Sequence, residues 1–206
     1  MTPLHITLQH WHEAIAQLLI KQGASLSIID ENGMAPLHII LQNGQHSLAQ
    51  LLIERGDNLS VANKNGMTPL HITLQYGHET LAQALIERGA DLSVTDGDEM
   101  TPLHIALRSG QDSLAQLLIE RGADLLAVDS KGMTPLHIAL QHWHQAIAQL
   151  LIEQRAGLSV IDEDGMAPLH IALQNGQDSL AQLLIERGDN LSVTDKNGMT
   201  PLHIAL

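Results

Sequence analysis

Met100-Thr101-Pro102-Leu103-His104-Ile105-Ala106-Leu107 decides the reading of this chain, because the stretch recurs. Met-Thr/Ala-Pro-Leu-His begins at Met1, Met34, Met67, Met100, Met133, Met166 and Met199, a strict spacing of 33 residues. All seven Met and all seven Pro of the 206 residues lie in this motif. A fixed period of this length marks a repeated supersecondary unit. The copies account for the whole chain and leave nothing for a linker or second domain. The expected organisation is one array over 1–206, with units 1–33, 34–66, 67–99, 100–132, 133–165, 166–198 and a partial 199–206.

One unit can be read from elementary preferences. Thr101 suits a helix N-cap and Pro102 the first helical position, where its missing N–H costs nothing. Leu103, Ile105, Ala106 and Leu107 carry a short first helix, which Gly110 stops through a positive φ. Asp112 or Ser113 is the expected cap of a second helix that runs from Leu114 to Arg121 and ends at Gly122. Ala123-Asp124-Leu125 leads into an extended segment, and Asp129-Ser130-Lys131-Gly132 reads as a tight turn. Leu114, Leu117 and Leu118 form one face of the second helix, with Ala115 and Ile119 beside it. So wide an apolar surface needs cover from several sides. One unit cannot supply that cover, but stacked neighbours can. Ala recurs at 16, 49, 82, 115, 148 and 181, which permits close helix approach.

The period, Thr-Pro-Leu-His-Ile-Ala at 101–106, the turn at Gly110 and Arg-Gly-Ala-Asp at 121–124 resemble the ankyrin repeat. The resemblance implies an all-α solenoid of helix-turn-helix units with short β-turn fingers. Fingers and first helices would line a concave face and second helices the convex back. It further implies binding of a protein partner through the concave face, with no catalytic machinery in the fold itself.

The chain departs from the family pattern in several places. Leu stands at 8, 41, 74, 107, 140, 173 and 206 where the family often has Ala, predicting a larger apolar contact between neighbours. Arg155 replaces the glycine after the second helix, with Gly157 two places on. Glu99 replaces the finger glycine, with Gly97 two places back. Both substitutions predict that the left-handed residue moves to the nearby glycine. Trp11 and Trp143 replace the glycine between the helices, where a bulky side chain is disfavoured. The expectation is a corner rebuilt without left-handed backbone and covered by the indole. The competing reading makes the two tryptophans exposed anchors. Residues 1–33 match 133–165 at 26 positions, and 34–66 match 166–198 at 29, so four units form a larger duplicated block. Neither end has a polar capping unit. The expectation is a segment of a longer array, or end-to-end self-association through the terminal layers.

Chemistry is limited by composition. A formal charge of −13 argues against nucleic acid or anionic membrane as partner. The absence of Cys removes disulfides, thiol nucleophiles and Cys-based metal sites. No N-terminal leader pattern or membrane-length apolar run is present. The expected location is the cytoplasm, or a host cell's cytosol for a secreted effector. Seven of the thirteen His (5, 38, 71, 104, 137, 170 and 203) belong to the repeated motif. The resemblance gives them hydrogen bonds that tie the turn to the helix start. His10/His12 and His142/His144 flank the tryptophans, but only Glu13 or Gln145 is at hand as a further ligand, so no metal is expected. Asp30, Asp96, Asp129, Asp162 and Asp195 are expected to hold finger turns. Carboxylates that repeat with the period, and the lack of a nucleophile or phosphate-loop motif, argue against an enzyme, and no cofactor is expected.

Binding is expected where copies vary on a fixed frame, at fingertips and first-helix ends. The candidate partner-binding residues are Glu31, Lys64, Tyr76, Asp98, Arg108, Lys131, His142, Glu163 and Asp164, with Trp11 and Trp143 as further anchors. The acidity at 96–99 and 162–164 favours a protein partner with a basic patch. The rival reading, supported by the near-identity of the copies, is a structural spacer or self-associating array without a specific ligand. The seven Met form either an adaptable apolar stripe or packing beneath the fingers.

Overall fold

The computed structural model describes residues 1–56 and 59–205. The chain divides into two compact units, Met1–Gly97 and Asp98–Leu206. In the first, α1 (Pro3–Gln9), α3 (Pro36–Gln42) and α5 (Pro69–Gln75) are the short first helices. Their partners are α2 (Glu13–Lys21), α4 (His46–Arg55) and α6 (Glu79–Glu87). In the second unit, α7 (Pro102–Arg108), α9 (Pro135–Gln141), α11 (Pro168–Gln174) and α13 (Pro201–Ile204) are first helices. They alternate with α8 (Asp112–Glu120), α10 (Gln145–Glu153) and α12 (Asp178–Glu186). Within each unit first helices pack on first helices, while α4 packs on α6 and α8, α10 and α12 pack in series. No strand occurs among the described residues.

Stacking buries what a single repeat could not. Leu103, Leu107, Leu114, Ala115 and Leu118 are all buried in the second unit. Each such Leu removes enough apolar surface from water to contribute about 2 kcal/mol. The added Leu of this chain is fully buried at 8, 41, 74, 107 and 140 and half-buried at 173, while Leu206 lies outside the described residues.

The motif histidine links consecutive repeats. In the second unit His137 Nδ1 accepts the Thr134 backbone N–H at 3.2 Å and lies 2.8 Å from the Thr134 hydroxyl. A nitrogen that accepts an N–H carries no proton, so Nε2 bears it and donates to the Met166 carbonyl at 3.1 Å. The same Nε2 bridge runs from His5 to Met34 and from His38 to Met67 in the first unit. It runs from His104 to Met133 and from His170 to Met199 in the second. Thr2, Thr68, Thr101 and Thr134 also cap their helices by accepting the His N–H. Ala35 and Ala167 provide only the backbone leg, through their own N–H to Nδ1. Burial lowers the His38 and His137 pKa values, because the charged imidazolium is desolvated.

Five fingers share one internal tie. Asp162 Oδ1 accepts from the Asp164 and Met166 amides, each at 2.9 Å. Asp30, Asp129 and Asp195 repeat this arrangement, and Asn63 does so with its amide oxygen. Each finger then donates one amide to the previous one: Lys64 to Asn32 in the first unit, Ser130 to Asp98, Glu163 to Lys131 and Lys196 to Asp164 in the second. Gly66 sits at φ +73°, and a Cβ there would lie 2.8 Å from the Asp96 backbone. Of the seven Met, Met34, Met100 and Met133 are buried, Met67 and Met166 half-buried, and Met1 and Met199 exposed.

Four expectations about the corners are corrected. Trp11 and Trp143 keep left-handed backbone, at φ 61° and 65°, where Gly44, Gly110 and Gly176 have 66°, 73° and 66°. The hydrogen bonds are unchanged too: His12 N to Thr7 O and His144 N to Ala139 O match Gln111 N to Ala106 O. The corner is fixed by the two helices it joins, so the residue conforms and bears the cost. The indoles do not cover it, being 63% and 62% exposed. Likewise Glu99 and Arg155 themselves adopt positive φ, at 60° and 58°. Arg155 N still reaches Ile152 O as Gly122 N reaches Ile119 O. Gly157 adds a second left-handed residue beside Arg155, while Gly97 is not left-handed. Finally, the second helix begins at Asp112 without a side-chain cap from Gln111, so neither Asp112 nor Ser113 is its N-cap. At other corners the carbonyl of the left-handed residue accepts an amide from the helix start instead, as Trp143 O does from Gln145 N.

Asp189, just after α12, is buried where Ala90, Ala123 and Ala156 stand in other repeats. Its Oδ1 accepts the Asn190 amide, but the buried Oδ2 has no partner. Burial pushes its pKa up to about 6. A carboxyl raised above its unfolded value destabilises the fold when ionised. Stability from this group is therefore full below about pH 4 and falls as pH rises toward 6. His38 and His137 act oppositely: their contribution is full above about pH 6.5 and is lost as pH falls.

Four variants check this description. Asp189→Ala is expected to stabilise the chain in urea by about 1–2 kcal/mol at pH 7.5 and by much less at pH 4, since the ionised form carries the penalty. An equal gain at both pH values would contradict the buried, unpaired carboxylate. Trp143→Gly is expected to raise stability by about 1 kcal/mol by relieving left-handed strain. Gly122→Ala, with open space around it, should cost about 1 kcal/mol, and Gly66→Ala about 2–3 because a backbone clash is added.

Candidate functional site

Of the varying positions, Lys64, Lys131, Glu163 and Asp164 line clefts between fingers and first-helix ends. In the first unit one cleft is lined by Gln9, Gln42 and Asn43 from the helix ends and Asp30, Asn32, Asn63, Lys64 and Asn65 from the fingers. Met34 and Ile39 form its floor. Apart from Lys64 and the turn-holding Asp30, its polar groups are carboxamides. Glu31 is exposed at the fingertip but does not line this cleft.

The second unit's cleft, of about 430 Å³, is more acidic. Lys131, Glu163 and Asp164 come from successive fingertips, and Gln141, Gln174 and Asn175 from helix ends, over a floor of Met133, Met166 and Ile171. The turn explains the placement. Asp162 spends its Oδ1 on backbone amides, so Glu163 and Asp164 project outward. Asp164 meets Lys196 at 3.1 Å with both side chains exposed, a pair worth under about 1 kcal/mol in water. A neighbouring cleft continues over Asp164, Gln174, Asp195 and Lys196. Thus Lys131, Glu163 and Asp164 are brought together, while Lys64 sits in the other unit's cleft.

The remaining candidates lie elsewhere. Asp98 is exposed, and its carbonyl receives the next finger. Tyr76 ends α5, is half-exposed and stacks on His78 at 6.1 Å and 14°. Arg108 ends α7 and is exposed; its charge contributes to lowering the His142 pKa, after burial and the neighbouring His144. His142 and His144 have ring centroids 6.2 Å apart, on either side of Trp143. His144 Nδ1 meets Asp112 at 2.6 Å, leaving its buried Nε2 without a partner. Among the described residues, no three or more His, Asp or Glu side chains converge as a metal site. No described helix is long and apolar enough to cross a membrane.

Sequence reasoning pointed to the first-helix ends, but the residues singled out there, Tyr76, Arg108 and His142, do not line the clefts. Gln9, Gln42, Gln141 and Gln174 all line clefts, and a polar residue recurring at the end of each apolar first helix was the available signal. Asn43 and Asn175 do double duty, each also donating to the last carbonyl region of the preceding first helix, at Leu8 and Leu140.

The geometry has counterparts among known proteins. The family model for ankyrin repeats (3 copies) matches residues 1–63, 42–129, 90–162 and 147–206. No curated protein sequence matches the chain. Among solved structures, the ankyrin repeat domain of Bcl-3, a member of the IkappaB protein family, aligns with a TM-score of 0.79 at 29% identity. That alignment covers 100% of this chain and 94% of the other. With helix pairs, fingers and the motif histidine all in register, the chain belongs to the ankyrin-repeat family.

Proposed function

We propose that the chain is a protein-binding scaffold that docks its partner in the clefts between fingers and first helices. Ankyrin repeats are in general protein-interaction modules. One observation carries the finer reading: residues that differ between repeats stand on the rim of clefts whose Met/Ile floor and backbone frame are constant. Such a rim is rigid before the partner arrives, so little ordering entropy is lost on docking. Glu163 and Asp164 in one cleft favour a basic patch on the partner, and net charge of the same sign throughout would speed its approach at low salt. Tyr76 and Arg108, whose side chains are typical of contact anchors, stand outside these clefts and do not carry this reading. The absence of Cys fits work in a reducing cytosol. No catalytic role is proposed, since the titratable groups repeat with the architecture.

The near-identity of repeats favours a second reading, a spacer without a specific ligand. Comparing proteins captured on the immobilised wild type with those on Glu163→Lys/Asp164→Lys separates the two. The scaffold reading expects a captured partner that is released by raised salt and bound at least ten-fold more weakly by the double variant. Identical capture by both chains at every salt concentration would favour the spacer.

A further inference from the structure

The corners of the first unit form a feature that neither the stack nor the clefts require. Trp11 is held in left-handed backbone, which costs a non-glycine residue on the order of 1–2 kcal/mol. Its indole is mostly exposed and so recovers little of that by burial. A strained, solvent-facing tryptophan calls for a ligand, since stability alone favours the glycine found at Gly44 and Gly77.

The neighbouring corners present rings as well, already held in place. His10 and His12 flank Trp11 with centroids 6.3 Å apart. In the next corner the His46 ring is fixed by Nδ1 against the Gly44 carbonyl at 2.7 Å. It meets His78 edge-on at 4.8 Å. His78 is itself anchored through Nε2 on the Leu41 carbonyl at 3.0 Å, and Tyr76 stacks on it. Three successive corners of one unit therefore carry rings, of which His46, Tyr76 and His78 are held by these contacts. None of Trp11, His12, His46, Tyr76 or His78 lines the cleft described above.

We propose that this corner row binds a basic, proline-rich segment in the polyproline II conformation. Flat rings are the surfaces on which pyrrolidine rings pack, and the segment arrives pre-ordered. Polyproline II completes a turn in three residues, about 9.3 Å, close to the roughly 8–10 Å between packed helix layers. Each turn can thus present the same face to each successive corner. Charge selects the flanking residues. Residues 9–13, 42–46 and 75–79 contain no Lys or Arg, while Glu13 and Glu79 stand exposed beside Trp11 and Tyr76. Residues 1–97 hold nine acidic side chains against four Lys or Arg. Arginines spaced between prolines would meet these carboxylates. The single tryptophan corner of the second unit lacks such a row, because its neighbours are Ser109-Gly110 and Asn175-Gly176.

The test uses the full chain and three synthetic 12-residue peptides: (Arg-Pro-Pro)4, (Gln-Pro-Pro)4 and (Arg-Gly-Ser)4. In Trp143→Gly, Trp11 is the sole tryptophan, and (Arg-Pro-Pro)4 is expected to shift its fluorescence saturably. Measured by anisotropy of labelled peptide, Trp11→Gly/Tyr76→Ala should weaken binding at least ten-fold with unchanged circular dichroism. Trp11→Gly alone, which carries the residue native to other corners, should weaken it several-fold. (Gln-Pro-Pro)4 should bind several-fold more weakly and (Arg-Gly-Ser)4 at least ten-fold more weakly than (Arg-Pro-Pro)4. Glu163→Lys/Asp164→Lys should bind it as the wild type does, which keeps this site distinct from the cleft. Equal binding of (Arg-Gly-Ser)4, indifference to Trp11→Gly/Tyr76→Ala, loss in the cleft variant, or no binding at millimolar peptide would each overturn the proposal.

Discussion

Within each unit, a buried imidazole holds consecutive repeats together. Its Nδ1 takes an amide proton from the start of its own helix, and its Nε2 gives one to the Met carbonyl that begins the next repeat. Both groups would otherwise be buried and unsatisfied, at a cost of about 1–3 kcal/mol each. Only the neutral ring with its proton on Nε2 can do this. The His thus fixes the local turn and the spacing to the neighbour in one step. The fingers add a parallel tie, one backbone hydrogen bond from each to the last. Apolar stacking supplies most of the free energy, but it is non-directional. The imidazole and finger ties set the register in which that stacking occurs.

Much of this was legible in the sequence, because repetition amplifies weak signals. Thr-Pro at a helix start, Gly at its end and an all-round apolar second helix are each ordinary. Seven copies in phase leave one architecture. What could not be read were contacts between repeats. The inward reach of His137 to Met166, 29 residues on, depends on stacking geometry that no local rule encodes. The corner errors have the same origin. Local preference says that Trp11, Trp143, Glu99 and Arg155 should avoid left-handed backbone, and it proposes nearby glycines as substitutes. The flanking helices and fingers decide otherwise, since moving the turn by two residues would break bonds on both sides. At the first-helix ends, taking variation as the mark of contact favours Tyr76, Arg108 and His142 over the glutamines that line the clefts.

The departures from a uniform repeat separate into two kinds. Asp189 places a carboxyl where other repeats put Ala, and leaves one oxygen buried without a partner. Trp11 and Trp143 put large rings where glycine would be relaxed. The first lowers stability at neutral pH without adding accessible surface. The second lowers it while adding exposed aromatic surface, which is the trade expected of a binding residue. Rim residues such as Lys131, Glu163 and Asp164 belong to neither kind, because their fingers are held by backbone and by Asp129 or Asp162 whatever the side chain. That independence lets the surface vary without disturbing the stack.

The claim that neutral, Nε2-protonated imidazoles join the repeats is tested most directly by nitrogen-15 spectroscopy of the histidine rings. At pH 7 the account expects the rings of His38, His104, His137 and His170 to show an unprotonated Nδ1 and a protonated Nε2. Their Nε2–H protons should exchange slowly. Motif rings with the proton on Nδ1, or rapid averaging between the two tautomers, would contradict it.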